Sequence, residues 1–232
     1  QEFVSNVSHE LKTPMTSMKV LADSLVGQQG MPEELYQEFL GDITKEIDRE
    51  NKIISDLLTL VKMDKKVAEI NIQHMDINQL LEDILKRLRP IADKRKIDLI
   101  LDSFRPVEAD VDEVKFTLAI SNLVENGIKY NVDEGWVRVT LDADHQYFYV
   151  TVADSGMGIP ADSLERIFER FYRVDKSHSR EIGGTGLGLA ITRSTIAMHH
   201  GTVSVISKEG EGTTFSVKVP LSYIPRQDNK GK

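Results

Sequence analysis

Apolar residues in the first part of the chain recur at helical spacing. Val4, Leu11, Met15, Met18, Ala22 and Leu25 follow one another at intervals of three, four or seven, which marks an apolar stripe on one face of a helix. Gly27-Gln28-Gln29-Gly30-Met31-Pro32 then places two glycines and a proline together, so one helix stops there and another starts. A second stripe runs through Tyr36, Leu40, Ile43, Ile47, Ile54, Leu58 and Val61, ending at Lys65-Lys66-Val67. The pattern predicts an antiparallel hairpin of two long helices over residues 1–66. Two helices cannot cover such stripes on all sides, which favours pairing of two hairpins into a dimeric four-helix bundle over packing against the rest of the chain. Pro14, inside the first helix, removes one backbone hydrogen bond and predicts a local bend just after His9.

A different rhythm follows. Asp76-Ile77-Asn78-Gln79 resembles a capping box opening a helix through about Lys94, with Leu80, Leu81, Ile84 and Leu88 on its core face. Strand-like runs cover Ile97 to Leu101, Trp136 to Leu141 and Tyr147 to Ala153, the last two joined by the polar turn Asp142-Ala143-Asp144-His145. A helix is expected from about Asp112 to Tyr130 and another from Leu187 to His199. Two closing strands, Val203 to Ser207 and Thr214 to Val219, turn at Glu209-Gly210-Glu211-Gly212. Residues 67–222 therefore read as an α/β sandwich, a mixed sheet covered by helices on one face. Residues 223–232 read as a frayed C-terminal tail.

Composition narrows the function classes. In 232 residues with 40% hydrophobic content there is enough apolar material for one or two cores. The net charge of −8 argues against a nucleic-acid partner, since gripping phosphates needs clustered Lys and Arg. Cysteine is absent, so there is no disulfide framework, thiolate zinc site or thiol nucleophile, and a cytosolic setting fits. No apolar run approaches the roughly 18 residues of a membrane span. The chain opens without Met inside a helical pattern, which suggests a fragment whose upstream part is missing.

Several clusters carry chemistry. In the first helix, Thr13 lies four residues after His9 and shares its face, and Glu10 is adjacent to the imidazole. The helix from Phe116 to Tyr130 is apolar except for Asn122, Glu125, Asn126 and Lys129, and Asn122, Asn126 and Lys129 fall in one narrow stripe. Two amide oxygens and an ammonium there suit a magnesium ion with few protein ligands and a nucleotide phosphate beside it. Asp154-Ser155-Gly156-Met157-Gly158-Ile159-Pro160 follows directly on a strand. A carboxylate at a strand end can accept from the exocyclic amine of adenine, and glycines let backbone approach a flat base. Gly183-Gly184-Thr185-Gly186-Leu187-Gly188-Leu189 precedes a helix, whose N-terminal amides could receive phosphates. Its glycine spacing is not that of a dinucleotide fingerprint, and no Walker lysine sequence is present. Gly210-Glu211-Gly212-Thr213-Thr214-Phe215 is at least a hairpin turn.

Taken in order, His9-Glu10-Leu11-Lys12-Thr13-Pro14, Asn122-Leu123-Val124-Glu125-Asn126, Asp154-Ser155-Gly156-Met157-Gly158, Phe168-Glu169-Arg170-Phe171 and Gly184-Thr185-Gly186-Leu187-Gly188 resemble the H, N, G1, F and G2 boxes of two-component sensor histidine kinases. The resemblance covers nearly the whole chain. It implies a helical dimerisation and phosphotransfer hairpin at 1–66 followed by an ATP-binding domain of the Bergerat type at 67–222, the fold shared with gyrase, Hsp90 and MutL. By the same resemblance His9 accepts the phosphoryl group, Asn126 and Asn122 serve Mg²⁺, Asp154 binds adenine, Lys129 faces phosphate and Tyr130 borders the base. Gly156, Gly158, Ile159, Arg173, Lys176, Thr185, Leu187 and Thr213 join the nucleotide-contacting set, and Gly184, Gly186 and Gly188 close a lid, roughly Arg173 to Gly183, over the triphosphate. The implied partners are a second copy of the chain and the receiver domain of a response regulator, with the regulator docking below His9 around Lys19 and Asp23. The implied setting is the cytoplasmic portion of a sensor anchored in the membrane through the missing upstream segment.

Two positions depart from the family pattern. Gly127 stands where Ala is usual after the second asparagine, which is expected to loosen the helix by up to about 1 kcal/mol. His199-His200-Gly201 stands where His-Gly-Gly is common, and His200 reads as a surface substitution. Position 122 separates hypotheses: related ATPases place a water-activating glutamate there, and Asn122 cannot act as a general base. Hydrolysis is expected to be slow, leaving the nucleotide for His9, whose ordinary pKa near 6.5 keeps it largely neutral. In the same family the Glu-x-x-Thr pattern makes Thr13 a phosphatase element, orienting water toward a phosphoaspartate; the alternative is a hydroxyl bonded back to a helix carbonyl. A simple ATPase and a non-catalytic docking module are the competing classes.

Overall fold

Both helical stripes form as expected in the computed structural model, which describes residues 2–27, 32–64, 70–174 and 184–225, with the side chains of 2–6, 9 and 64 excepted. They are α1 (Glu2–Gly27) and α2 (Glu33–Asp64), and α1 runs on through Pro14. The connecting residues 28–31 and the C-terminal residues 226–232 lie outside the described set. On α2 the residues buried most deeply are Ile53 and Leu60, each 1% exposed, two turns apart on one face. The stripe through Tyr36, Leu40, Ile47, Ile54, Leu58 and Val61 points outward and stays 42–56% exposed. The helix thus carries two apolar seams, one used within the chain and one uncovered.

The chain forms two compact units. One combines Gln1–Lys65 with Arg170–Leu187, and the other combines Lys66–Glu169 with Gly188–Lys232.

The second unit is built on a five-stranded sheet. Its strands are β2 (Asp98–Ser103), β4 (Trp136–Ala143), β5 (Tyr147–Asp154), β6 (Thr202–Lys208) and β7 (Gly212–Pro220), and β1 (Gln73–Asp76) and β3 (Glu108–Val111) make a separate ribbon. The order across the main sheet is β2-β4-β5-β7-β6. Only the β2–β4 pair is parallel, so the sheet is mixed, as its alternating segments predict. Val137, Val139 and Leu141, Phe148, Val150 and Val152, and Phe215, Val217 and Val219 fill one face and are all buried. Burying each contributes about 1.5–3 kcal/mol.

Three helices cover that face: α3 (Ile77–Lys94), α4 (Glu113–Lys129) and α5 (Gly188–Met198). The N-cap half of the box on α3 forms, the Asp76 carboxylate accepting from the Gln79 N–H at 3.1 Å, while the Gln79 side chain turns forward to donate to Asp83 at 3.2 Å. Asp112 caps α4 in the same way, accepting from the Lys115 N–H at 3.0 Å and from its ammonium at 2.6 Å. The buried His199 ring ties this cap to α5. Its Nε2 accepts from the Asp112 N–H at 2.9 Å, and its Nδ1 lies 2.8 Å from the Thr195 carbonyl. That pair of partners makes the ring a neutral Nδ1–H tautomer, and burial lowers its pKa.

The β1–β3 ribbon was not legible in the sequence. Its strands are four residues long and mostly polar, so no alternation announces them. They are pinned by polar groups instead: His74 sits 2.9 Å from Asp110 and 3.2 Å from Glu108. His200 is also more than a surface substitution. It adopts φ 58°, a left-handed conformation that a glycine takes without cost, and its ring stacks on Tyr223 at 4.7 Å. Among the described residues no helix is long and apolar enough to cross a membrane.

Candidate nucleotide and phosphoacceptor sites

In the second unit, α4 presents the polar stripe. Phe116, Ala119, Ile120, Leu123, Val124, Gly127 and Ile128 are buried against the sheet and neighbouring helices, which leaves Asn122, Asn126 and Lys129 half-buried on the opposite side. The Asn122 amide donates to the Gly188 carbonyl at 3.2 Å, and the Thr192 hydroxyl reaches both that carbonyl and Ala119 O. Asn122 therefore fixes the first turn of α5 to α4. The Lys129 ammonium stands 5.9 Å from the centre of the Tyr130 ring.

Asp154 ends β5 beside this stripe. Its Oδ1 accepts from the backbone N–H of Gly156 at 2.9 Å and of Thr213 at 3.3 Å. Both of its hydrogen bonds among the described residues go to that oxygen, so Oδ2 is the atom presented to a donor. Burial pushes the carboxyl up to about 6, and the two N–H groups partly offset this. The loop after it is held by its own backbone. Met157 N–H donates to Tyr130 O at 3.0 Å, and Ile159 N–H donates to the Ser207 hydroxyl at 2.8 Å. Ser207 in turn donates to Gly212 O and takes the hydroxyl of Thr213 at 2.9 Å. Gly158 is required here, since it has φ 71° and a methyl group on it would lie 2.1 Å from Lys208 O. Asp154, Gly156, Gly158, Ile159, Tyr130 and Thr213 are thus brought together around one rim.

Several residues of this rim were missed in the sequence. Ser207 is one. Asn131 is another: its amide donates to Gly127 O and Trp136 O, and its oxygen accepts from Val132 N–H and the Ser155 hydroxyl. Arg95 donates to the carbonyls of Ile128 and Lys129, neutralising the C-terminal end of α4. Asn131 and Arg95 stand just past helix ends, which is the only cue they offer, and Ser207, inside β6, offers none.

Gly127 is better fitted than expected. A methyl group there would stand 3.1 and 3.2 Å from the two Cγ atoms of Val137, and Val137 is fully buried. The glycine lets α4 lie close on β4.

In the first unit His9 lies on α1, with its side chain outside the described set. The Glu10 carboxylate is 4.0 Å from the Arg173 guanidinium, whose side chain is 8% exposed. Thr13 is half-buried on the same helix. Lys176 and the rest of the expected lid through Gly183 lie outside the described residues. Beyond them, Phe171 N–H donates to Gly186 O at 2.9 Å, and both residues have positive φ. A methyl group on Gly186 would come within 2.9 Å of Phe171 Cα. Thr185 and Leu187 are buried in the same turn.

Asparagine oxygens are hard, neutral donors that fit Mg²⁺. Among the described residues no group of three or more His, Cys, Asp or Glu is placed to hold a metal ion. A magnesium ion at Asn122 and Asn126 would draw its other ligands from phosphate and water.

A hairpin with a histidine on α1, joined to a helix-covered mixed sheet with an asparagine stripe and a strand-end carboxylate, defines a phosphoacceptor hairpin with an ATPase of the gyrase and Hsp90 type. Residues 1–66 match the His Kinase A (phospho-acceptor) domain, and residues 111–223 match the histidine kinase-, DNA gyrase B-, and HSP90-like ATPase family, whose members bind ATP. The chain belongs to the sensor histidine kinases. It is 34% identical over 231 residues to the sensor histidine kinase WalK of Bacillus subtilis (strain 168), covering 98% of this chain and 38% of that protein. It is 36% identical over 231 residues to the sensor protein kinase WalK of Staphylococcus aureus, covering 98% of this chain and 55% of that protein. The chain therefore spans from just under two fifths to just over half of these relatives. Among solved structures, histidine kinase ThkA in complex with the response regulator protein TrrA has a TM-score of 0.79 at 22% identity, covering 95% of this chain and 61% of that one. Acinetobacter baumannii histidine kinase AdeS has a TM-score of 0.74 at 21% identity, covering 92% of this chain and 98% of that one. These two likenesses concern the fold.

Proposed function

We propose that the chain transfers the γ-phosphoryl group of ATP to His9, passes it to an aspartate of a response regulator, and also removes it from that regulator. One observation favours kinase over ATPase. Position 122 carries an amide bonded to Gly188 O at 3.2 Å, where a hydrolytic enzyme would need a carboxylate to deprotonate water. ATP would then persist until the imidazole meets it. The two WalK relatives are sensor kinases, and the complex of ThkA with the response regulator protein TrrA supports a regulator as partner.

Asp154 would bind the adenine amine through Oδ2. Gly156, Gly158 and Ile159 would lie along the base, Tyr130 would border it, and Thr213 would hold the carboxylate in place. Asn126 and Asn122 would hold Mg²⁺, which when bound neutralises charge on the phosphates. Lys129, Arg173, Lys176 and the turn from Gly184 through Gly188 would take the phosphate oxygens. In the transfer, one nitrogen of His9 forms a bond to phosphorus as the bond to the bridging oxygen of ADP breaks, and ADP leaves with that electron pair. The proton on the other nitrogen passes to Glu10. A nitrogen–phosphorus bond on imidazole is labile, so the group moves on readily. In the reverse sense Thr13 would orient water toward the regulator's phosphoaspartate.

The uncovered α2 seam supports a homodimer through a four-helix bundle, with exposed Lys19 and Asp23 on the regulator-docking face. Residues 1–66 would form the phosphotransfer hairpin and 67–222 the ATP-binding domain, in the cytoplasmic part of a membrane-anchored sensor. Incubation with γ-labelled ATP and Mg²⁺ tests the reading. Acid-labile, base-stable label that disappears in His9→Ala is expected; release of free phosphate without label would mean an ATPase, and neither would mean a docking module.

A further inference from the structure

The glycine-rich turn already holds an anion. Within the first unit, the Thr185 hydroxyl donates to the Asp56 carboxylate of α2 at 2.8 Å and accepts from the Leu187 N–H at 3.3 Å. Thr185 is only 6% exposed and Asp56 is half-buried, so this bond to a charged group is partly shielded from water. Phe171 and Gly186 are held together beside it by the Phe171 N–H to Gly186 O bond at 2.9 Å. A second carboxylate of the hairpin, Glu10, pairs with Arg173 at 4.0 Å. Two polar groups of segment 170–187 are thus taken up by acids of α1 and α2.

We propose that Asp56 is an intramolecular competitor for the phosphate-binding turn, its carboxylate taking the Thr185 hydroxyl that a nucleotide phosphate oxygen would otherwise receive. The hairpin-docked turn and the nucleotide-bound turn exclude each other. Asp56 is thereby a brake on nucleotide loading, and ATP releases the turn from the hairpin as it binds. This rests on the reading of Gly184 to Gly188 as a phosphate-binding turn.

The competition predicts a specific pattern of affinities. If the docked form holds about four fifths of the molecules, removing the brake tightens binding about fivefold. Titration of the whole chain with Mg²⁺ and ADP is expected to show this tightening in Asp56→Ala, which leaves the Thr185 hydroxyl no acceptor there, while AMP, which lacks the β-phosphate, binds the variant and the parent alike. Unchanged or weaker ADP binding in Asp56→Ala would overturn the proposal, and so would equal tightening for ADP and AMP, which would place the effect on the base site. Parent protein that binds ADP no better than AMP would show instead that the turn holds no phosphate, removing the premise. Because the chain has no cysteine, Asp56→Cys combined with Thr185→Cys gives a second measurement. Mild oxidation should join the pair, and Mg²⁺ with ADP should slow the joining by several-fold; a rate indifferent to ADP would also overturn the proposal.

Discussion

Replacing Asp154 by asparagine separates what this residue costs the fold from what it does for binding. Asn keeps Oδ1 for the Gly156 and Thr213 N–H groups and exchanges only Oδ2 for an amide nitrogen. In the parent, burial raises the carboxyl from its ordinary 3.8 to about 6. At about 1.36 kcal/mol per pKa unit that displacement would be worth about 3 kcal/mol. The side chain is half-buried rather than sealed, so solvent screening reduces the expectation to about 1–2 kcal/mol. The sign follows from linkage: a carboxyl whose folded pKa is raised favours folding below its unfolded pKa, and that contribution is lost as pH rises through the folded value. Above pH 6 the ionised carboxylate therefore burdens the native state. Asp154→Asn should gain about 1–2 kcal/mol at pH 7.5, or roughly 3 to 6 °C in Tm, and the gain should vanish near pH 4. Adenine binding should fail at the same time, since an amide N–H would face the amine of the base, at a cost of about 30-fold or more in ADP affinity. Urea unfolding across that pH range, together with ADP titration, checks both halves. A variant no more stable than the parent at pH 7.5, or a gain that does not depend on pH, would refute the assignment of burial as the cause.

Other expectations are more local. His199→Ala should destabilise the second unit by about 3 kcal/mol, because it strands the buried Asp112 N–H and leaves a cavity; thermal unfolding reads this. The lowered pKa of His199 means that its contribution is present above about 6.5 and lost as pH falls through the folded value, so His199→Gln should flatten the acid side of the stability profile. Gly127→Ala should not deliver the gain of about 1 kcal/mol usual for a helix interior, since the new methyl would meet both methyls of the buried Val137 at 3.1 and 3.2 Å; a Tm raised by several degrees would contradict this. Gly158→Ala should cost more than about 2 kcal/mol, from its positive φ and the approach of Lys208 O, and should weaken ADP binding alongside.

The chemistry-bearing residues were legible because the sequence carries them as short ordered blocks. A stripe of Asn122, Asn126 and Lys129 on an apolar helix can be read from period alone, and so can the caps at Asp76 and the two helical seams of the hairpin. The supporting residues were not legible. Ser207, Asn131 and Arg95 are single polar side chains in ordinary positions, and each matters only because a distant backbone group comes to it. The β1–β3 ribbon escaped notice for a related reason, since polar contacts hold it and no alternation marks it.

By itself, then, the order of residues determined the kind of protein and the elements that carry its reacting groups, because helical and strand periods and glycine turns are local properties. Only the tertiary structure decided the environment of each group. It raised the pKa of Asp154 by burying it, turned Asn122 into a strut for α5, gave Gly127 a packing role against Val137 and set Asp56 against Thr185. Desolvation and hydrogen bonding between residues far apart in the chain exist only once the chain is folded, so no local pattern could announce them.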